Sequence, residues 1–198
     1  MTLPKKIKSE RPFLRYDQLR DFLTAIHGED VELGALLALS SLRRSEVLAL
    51  KPSDISPDGK TISIHAARVL NTDGVLVYRD TNKTDKSRRT VSVAVPRLQE
   101  LLAKAATSDS EYIFDWSGKR FHDHIDRVCR KAGLPEVGIH GLRHSFASLG
   151  YHLGLKKMSI MDVGGWSDSQ VVDSVYTHNA DLDDDVEQMR KFYESLFS

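Results

Sequence analysis

The sequence predicts a mainly α-helical domain carrying one small three-stranded antiparallel sheet, an α+β fold. Helical spacing of apolar residues dominates up to Leu50 and again from Pro96 onward. Between these regions lie short runs in which apolar and polar residues alternate, the signature of half-buried strands. With 198 residues, 40% of them hydrophobic and 28% charged, the chain has material for one core of ordinary size.

The first helix is expected over Tyr16 to His27, where Leu19, Phe22, Leu23 and Ile26 form one stripe and Gly28 follows as a stop. Val31 to Leu42 reads as a largely buried helix, and Ser45 to Leu50 as a short one ending before Pro52. Three strands follow: TISIH from Thr61, VLVY after the turn residues Asn71, Asp73 and Gly74, and TVSVAV from Thr90. The polar segment DTNKTDKSRR separates the last two and projects a basic tip. Helices return at Pro96 to Ala106, where proline sits at a tolerated first position, and at Phe121 to Ala132, before Gly133. After HGLRHSFASLGYHL come a short helix around Met158 to Val163, the segment Asp168 to His178, and an amphipathic stretch, Val186 to Phe197.

Composition excludes several classes. The longest apolar stretch, Val31 to Leu42, is too short to cross a bilayer, and no apolar core follows the early lysines, so neither membrane insertion nor a signal peptide is expected. The single Cys129 rules out an internal disulfide and fits a reducing, cytoplasmic setting. Basic and acidic residues balance at 28 each, but unevenly along the chain. Lys5, Lys6, Lys8, Arg11, Arg15 and Arg20 crowd the start, while Asp181, Asp183, Asp184, Asp185, Glu187 and Glu194 crowd the end. An acidic tail thus masks a more basic body.

Chemistry concentrates in the helix that begins near His140. At about 100° per residue, His140, Arg143, His144, Ala147 and Tyr151 fall on one side, and Leu142, Phe146, Leu149 and Leu153 on the other. A histidine and an arginine one turn apart near a helix N-terminus suit an anion, phosphate above all, because guanidinium, imidazole and free backbone N–H groups can converge on it. An isolated HxxR is more often a solvated surface pair, so further signals are needed.

They are present in order: SLRRSEVLALKPSDI, TNKTDKSRRTVSV, HGLRHSFAS and GGWSDSQVVDSVYTH. Together these boxes resemble the tyrosine recombinases of the phage-integrase type, from about Leu19 to about His178. The resemblance implies the recombinase catalytic-domain fold over residues 16–180, preceded by a basic linker-like segment over 1–15 and followed by an acidic, amphipathic tail helix over 181–198. It also implies the catalytic set Arg43, Lys83, His140, Arg143, Trp166 and Tyr176, with Tyr176 the nucleophile and Glu46 the structural partner of Arg43. Lys86 is the nearest competitor of Lys83. Lys86, Arg88 and Arg89 are expected to contact DNA. Two departures stand out: Trp166 takes the place of the family's usual second histidine, and Tyr176 follows it by one residue more than usual.

The residue types suit the implied reaction. Negative charge builds on a phosphodiester during displacement, and two arginine forks can hold its non-bridging oxygens. A phenol with a pKa near about 10 needs a base, His140 by the resemblance, and the departing 5′ oxygen needs a proton, assigned to Lys83. Bond energy is retained in a 3′-phosphotyrosyl ester, so no cofactor is expected. No nucleotide loop and no HExxH motif occurs, and His122 and His124 of HDHID point to different sides of a helix, against a metal. The implied partners are a double-stranded DNA recombination site and three further copies in a homo-tetramer on that DNA. An N-terminal DNA-binding domain, usual in the family, is expected to be missing from this chain. The implied function is integration or excision of a mobile element or prophage, in a bacterial or phage-encoded, nucleoid-associated protein. The alternative is a DNA-binding or regulatory relative that keeps the fold without completing recombination.

Overall fold

The computed structural model describes residues 12–80, 88–166 and 169–179; for Val171 and residues 176–179 the description is of backbone only. Residues 1–11 of the linker segment expected over 1–15, and the tail helix expected over 181–198, lie outside the described residues. Eight α-helices and four strands follow in the order α1 (Tyr16–Ile26), α2 (Glu32–Leu39), α3 (Arg44–Ala49), β1 (Thr61–Ile64), β2 (Ala66–Leu70), β3 (Leu76–Asp80), β4 (Arg89–Ser92), α4 (Pro96–Ala106), α5 (Gly118–Lys131), α6 (Gly138–His152), α7 (Lys157–Gly164) and α8 (Gln170–Asn179) among the described residues.

The mainly helical architecture with small antiparallel sheets is the one expected, but the strands are arranged differently. They form two separate pairs, β1 with β4 and β2 with β3, rather than one three-stranded sheet. β2 was not anticipated, because Ala66–Leu70 has no clean alternation. Its Arg68 bends inward and donates to the carbonyls of Leu48 and Phe114, spending its charge on backbone rather than on solvent. The β2–β3 hairpin closes through Asn71, whose side-chain oxygen accepts from the N–H groups of Asp73 and Val75.

α1 buries Leu19, Phe22 and Ile26, while Leu23, one step round the helix, turns outward. α2 is buried nearly all round, as its composition requires. Its one charge, Glu32, accepts from Arg97 at 2.9 and 3.0 Å and from the Gly28 N–H at 3.0 Å. The Arg97 bonds, chief among these influences, hold the Glu32 carboxyl at about 2. Gly34 lets α2 approach α5: a Cβ there would lie 1.8 Å from the ring of Phe121.

α6 runs through the middle, packed against α1, α2, α5, α7 and α8. This corrects the two-faced reading of that helix. Arg143 and Ala147, expected on the presented side, are buried, and Leu153, expected to anchor, is exposed. A central helix has no solvent face over most of its length, and small residues give its neighbours room. A Cβ on Gly141 would meet the Pro12 carbonyl at 2.4 Å, and Ser145 accepts from the Leu14 N–H at 2.8 Å while donating to the Gly141 carbonyl at 2.9 Å. The main core, from Leu14 to Leu142, lies on one side of this crossing. A smaller cluster of Ala147, Ile160, Val172 and Val175 docks α7 and α8 on the other.

Candidate active site

The chain turns sharply between α2 and α3. Ser41 adopts φ 75°, a left-handed conformation that costs a non-glycine residue about 1–2 kcal/mol. The turn delivers Arg43 to the N-terminus of α3, where the Arg43 N–H donates to Glu46 Oε2 at 2.7 Å and Nη1 donates to Oε1 at 2.8 Å. The expected partnership of Arg43 with Glu46 is thus present. Arg43 Nη2 donates to the Gly165 carbonyl at 2.5 Å, across 122 residues of sequence.

Arg143 reaches the same turn from α6. Only 5% exposed, it donates through Nη1 to the Ser41 carbonyl and through Nη2 to the Gly164 carbonyl at 2.6 Å. Ser41 Oγ donates to the Val163 carbonyl at 3.0 Å. Three successive carbonyls, those of Val163, Gly164 and Gly165, therefore take their donors from Ser41, Arg143 and Arg43. Burial lowers the Arg143 guanidinium to about 10, and the neighbouring charges of Arg43 and Arg89 act in the same direction.

Trp166 follows this turn. Its ring lies 4.6 Å from the Arg143 guanidinium and 6.1 Å from the Phe146 ring. It covers Gly164 so closely that a Cβ there would fall 1.9 Å from the indole. Gly165 caps α7 at φ 61°, where glycine carries no steric penalty.

Arg89, anticipated at DNA, faces inward. Its two Nη atoms donate to the two oxygens of Glu46, each at 3.0 Å. Burial alone would raise the Glu46 carboxyl, but the bonds and charge of Arg89, then those of Arg43, outweigh it and hold the group below the usual carboxylate range. Arg88, the residue before it, points outward to Asp80 at 3.0 and 3.2 Å. That pair joins the two flanks of the segment carrying Lys83 and Lys86, which both lie outside the described residues.

His140 lies half-buried in the first turn of α6, one turn before Arg143. Tyr176 falls on α8, next to the buried Val175 that helps dock this helix on α6; its side chain lies outside the description. His122 and His124 diverge as expected, His122 onto Asp126 at 3.2 Å and His124 onto the Arg120 carbonyl at 2.9 Å. Ser41 was missed by sequence reasoning, which has no marker for a serine of positive φ.

Among the described residues the site thus gathers three guanidiniums, those of Arg43, Arg89 and Arg143, around a single carboxylate, Glu46. The surplus of positive charge, partly withdrawn from water, calls for an anion.

Residues 12–182 match the phage integrase family. The chain belongs to that family. This integrase-family domain is similar to the integrase of Staphylococcus phage L54a, with 24% identity over 95% of the chain and 64% of the relative. It is also similar to a XerC-like tyrosine recombinase of Caldanaerobacter subterraneus subsp. tengcongensis, with 22% identity over 89% of the chain and 53% of the relative. The chain spans about half to two thirds of the length of these relatives. The fold is shared with the Tn1549 transposon integrase in complex with circular intermediate DNA, at TM-score 0.72 and 16% identity, covering 94% of this chain and 69% of that one. It is shared also with XerA recombinase, at TM-score 0.63 and 21% identity over 98% of this chain and 66% of that one. The catalytic domain of bacteriophage HP1 integrase superposes at TM-score 0.53 with 19% identity, over 90% and 95% of the two chains.

Proposed function

We propose that this integrase-family domain cleaves and rejoins DNA strands at specific sites, through a 3′-phosphotyrosyl link to Tyr176, in the integration or excision of a mobile element. The observation that carries the reading is the convergence of Arg43 and Arg143, a hundred residues apart in the sequence, on one turn beside Trp166, with more positive charge than Glu46 neutralises.

In this reading Arg43 and Arg143 hold the non-bridging oxygens of the scissile phosphate, and the Trp166 indole N–H donates a further hydrogen bond. The Tyr176 phenol attacks phosphorus while its proton passes to His140. The P–O5′ bond breaks, and Lys83 gives a proton to the leaving oxygen. The phosphotyrosyl ester keeps the energy of the broken bond, so attack by another strand's 5′-hydroxyl reverses the step without nucleotide hydrolysis. Lys86 and Arg88 are proposed to track the DNA backbone, and four copies to assemble on paired sites. The Tn1549 transposon integrase, which shares this fold, is solved in complex with circular intermediate DNA, which supports DNA as the substrate.

The test is incubation with nicked duplex sites from which the cleaved end diffuses away. A covalent protein–DNA adduct is expected, absent in Tyr176→Phe and strongly reduced in Arg43→Ala and Arg143→Ala. An adduct that persists in Tyr176→Phe overturns the nucleophile. DNA binding without any adduct would favour a regulatory relative.

A further inference from the structure

We propose that Arg89 is a positioning residue of the cleavage site: by gripping both oxygens of Glu46 it fixes the carboxylate that aims Arg43. The inference rests on the strand-cleavage reading above and extends it to a residue outside the catalytic set.

The geometry is specific. Arg89 opens β4, where it pairs in register with Ile64, and its side chain turns to Glu46 while that of Arg88, just before the strand, turns to Asp80. Each Nη of Arg89 takes one oxygen of Glu46 at 3.0 Å, the planar two-point grip that guanidinium and carboxylate share. The same two oxygens accept from Arg43, through its Nη1 and its backbone N–H. One carboxylate therefore serves two arginines with different access to solvent. The Arg89 side chain is 15% exposed and the Arg43 side chain 43%. Arg89 is the inner anchor, and Arg43 is the arm with a free side.

Two further contacts fit this role. Arg89 also packs against the turn that receives Arg43, since a Cβ on Gly165 would lie 3.5 Å from the Arg89 Cζ. Both supports of the Arg43 guanidinium, Glu46 and the Gly165 carbonyl, thus rest against Arg89. In addition, Arg89 Nε is buried without a hydrogen-bond partner among the described residues. The side chain forgoes that bond while keeping the two-point grip on Glu46. Lysine, a point charge, cannot reproduce the grip.

β4 also receives the chain from the Lys83 segment, whose flanks Arg88 and Asp80 tie together. Arg89 thereby connects the strand that follows the proposed general acid to the arginine that holds the phosphate. It acts through Glu46 and does not touch the DNA.

The test uses the full chain with Arg89→Lys, Arg89→Gln, Glu46→Gln and the double variant R89Q/E46Q. Adduct formation is measured in single turnover on nicked duplex sites with protein in excess, alongside DNA affinity by anisotropy. Arg89→Lys is expected to cleave about tenfold to a hundredfold more slowly, the loss typical of a misplaced catalytic group, with DNA affinity unchanged. The double variant is expected to cleave no more slowly than Glu46→Gln alone, because the effect of Arg89 passes through Glu46. Arg89→Lys keeps a cation beside the carboxylate and remains informative if Arg89→Gln does not fold. Wild-type cleavage by Arg89→Lys, or affinity that falls in parallel with cleavage, overturns the assignment. If the wild-type chain forms no adduct, the cleavage reading fails, and the Arg89 assignment is judged by exchange of the Arg43 guanidinium protons in NMR spectra. Faster exchange in Arg89→Lys supports the positioning claim; unchanged exchange overturns it.

Discussion

Replacing Glu46 by glutamine tests the charge balance of the site directly. Glu46 is buried and accepts hydrogen bonds from two guanidiniums and one backbone N–H. A glutamine of the same shape offers one oxygen in place of two, and turns its amide N–H groups toward arginine donors. It also removes the carboxylate that the three guanidiniums share among the described residues. Removing one partner of a buried ion pair costs about 3–5 kcal/mol. Taking about 3 kcal/mol, because the amide oxygen keeps part of the network, and about 2–4 °C per kcal/mol for a domain of this size, the melting temperature should fall by about 6–12 °C at neutral pH. The pH dependence supplies a second check. The folded-state carboxyl of Glu46 lies below its ordinary value. Between the two values the unfolded chain binds the extra proton, so the stabilisation is complete above the unfolded value of about 4.3 and is lost as pH falls through the folded one. The gap between wild type and Glu46→Gln, followed by urea denaturation from pH 7 down to the acid limit of folding, should therefore close below the ordinary carboxylate range. A variant as stable as wild type at neutral pH, or a gap that stays constant into acid, refutes the reasoning.

Gly34→Ala should cost about 1–3 kcal/mol by urea denaturation, because its Cβ would lie 1.8 Å from the fully buried Phe121 ring; an undiminished midpoint would contradict the close approach of α2 and α5. Ser41→Ala keeps the left-handed backbone and loses the bond to the Val163 carbonyl, a cost of about 1 kcal/mol. Ser41→Gly loses the same bond but relieves the backbone, so it should unfold at higher urea than Ser41→Ala, and the reverse order would count against strain at this turn. Trp166, stacked on Arg143, should report phosphate binding. In a Trp116→Phe background its emission should change when site DNA is added, and constant emission while anisotropy shows bound DNA would remove Trp166 from the site.

The sequence was most legible where side-chain pattern and backbone period agree. α4 matches its expected bounds, Pro96–Ala106, because proline starts the helix and Leu98 and Leu102 repeat at its period. β2 was illegible because its arginine is satisfied by carbonyls that belong to α3 and to the segment before α5, which no local pattern reveals. Of the expected site residues, Arg43, Arg143 and Trp166 meet at one turn, whereas Arg89 turns to Glu46 and Arg88 to Asp80. The inward turn of Arg89 was not readable from SRRT, since which of two adjacent arginines begins the strand and in what register is decided by the partner strand. Nor was the burial of Arg143, because an amphipathic reading assumes that one side of a helix faces water, and α6 is enclosed by five others.

The donors proposed for phosphate have partners within the protein, and those partners matter for mechanism. Arg143 and Arg43 donate to the neutral carbonyls of Gly164 and Gly165. Hydrogen bonds from guanidinium to an ionised oxygen are roughly twice as strong as those between neutral groups, so a phosphate at this turn competes for the forks with an advantage that a carbonyl lacks. The exchange also leaves the released carbonyls of the turn needing new donors, from water or from the chain itself. Glycine at both positions eases that exchange, because residue 165 already holds a positive φ and residue 164 carries no side chain beneath Trp166. The turn therefore orders both arginines through acceptors weak enough to yield. Glu46, whose bonds to Arg43 and Arg89 are ionic on both sides, is the stronger contact, and around it the proposed phosphate site could exchange these carbonyls for phosphate while keeping its shape.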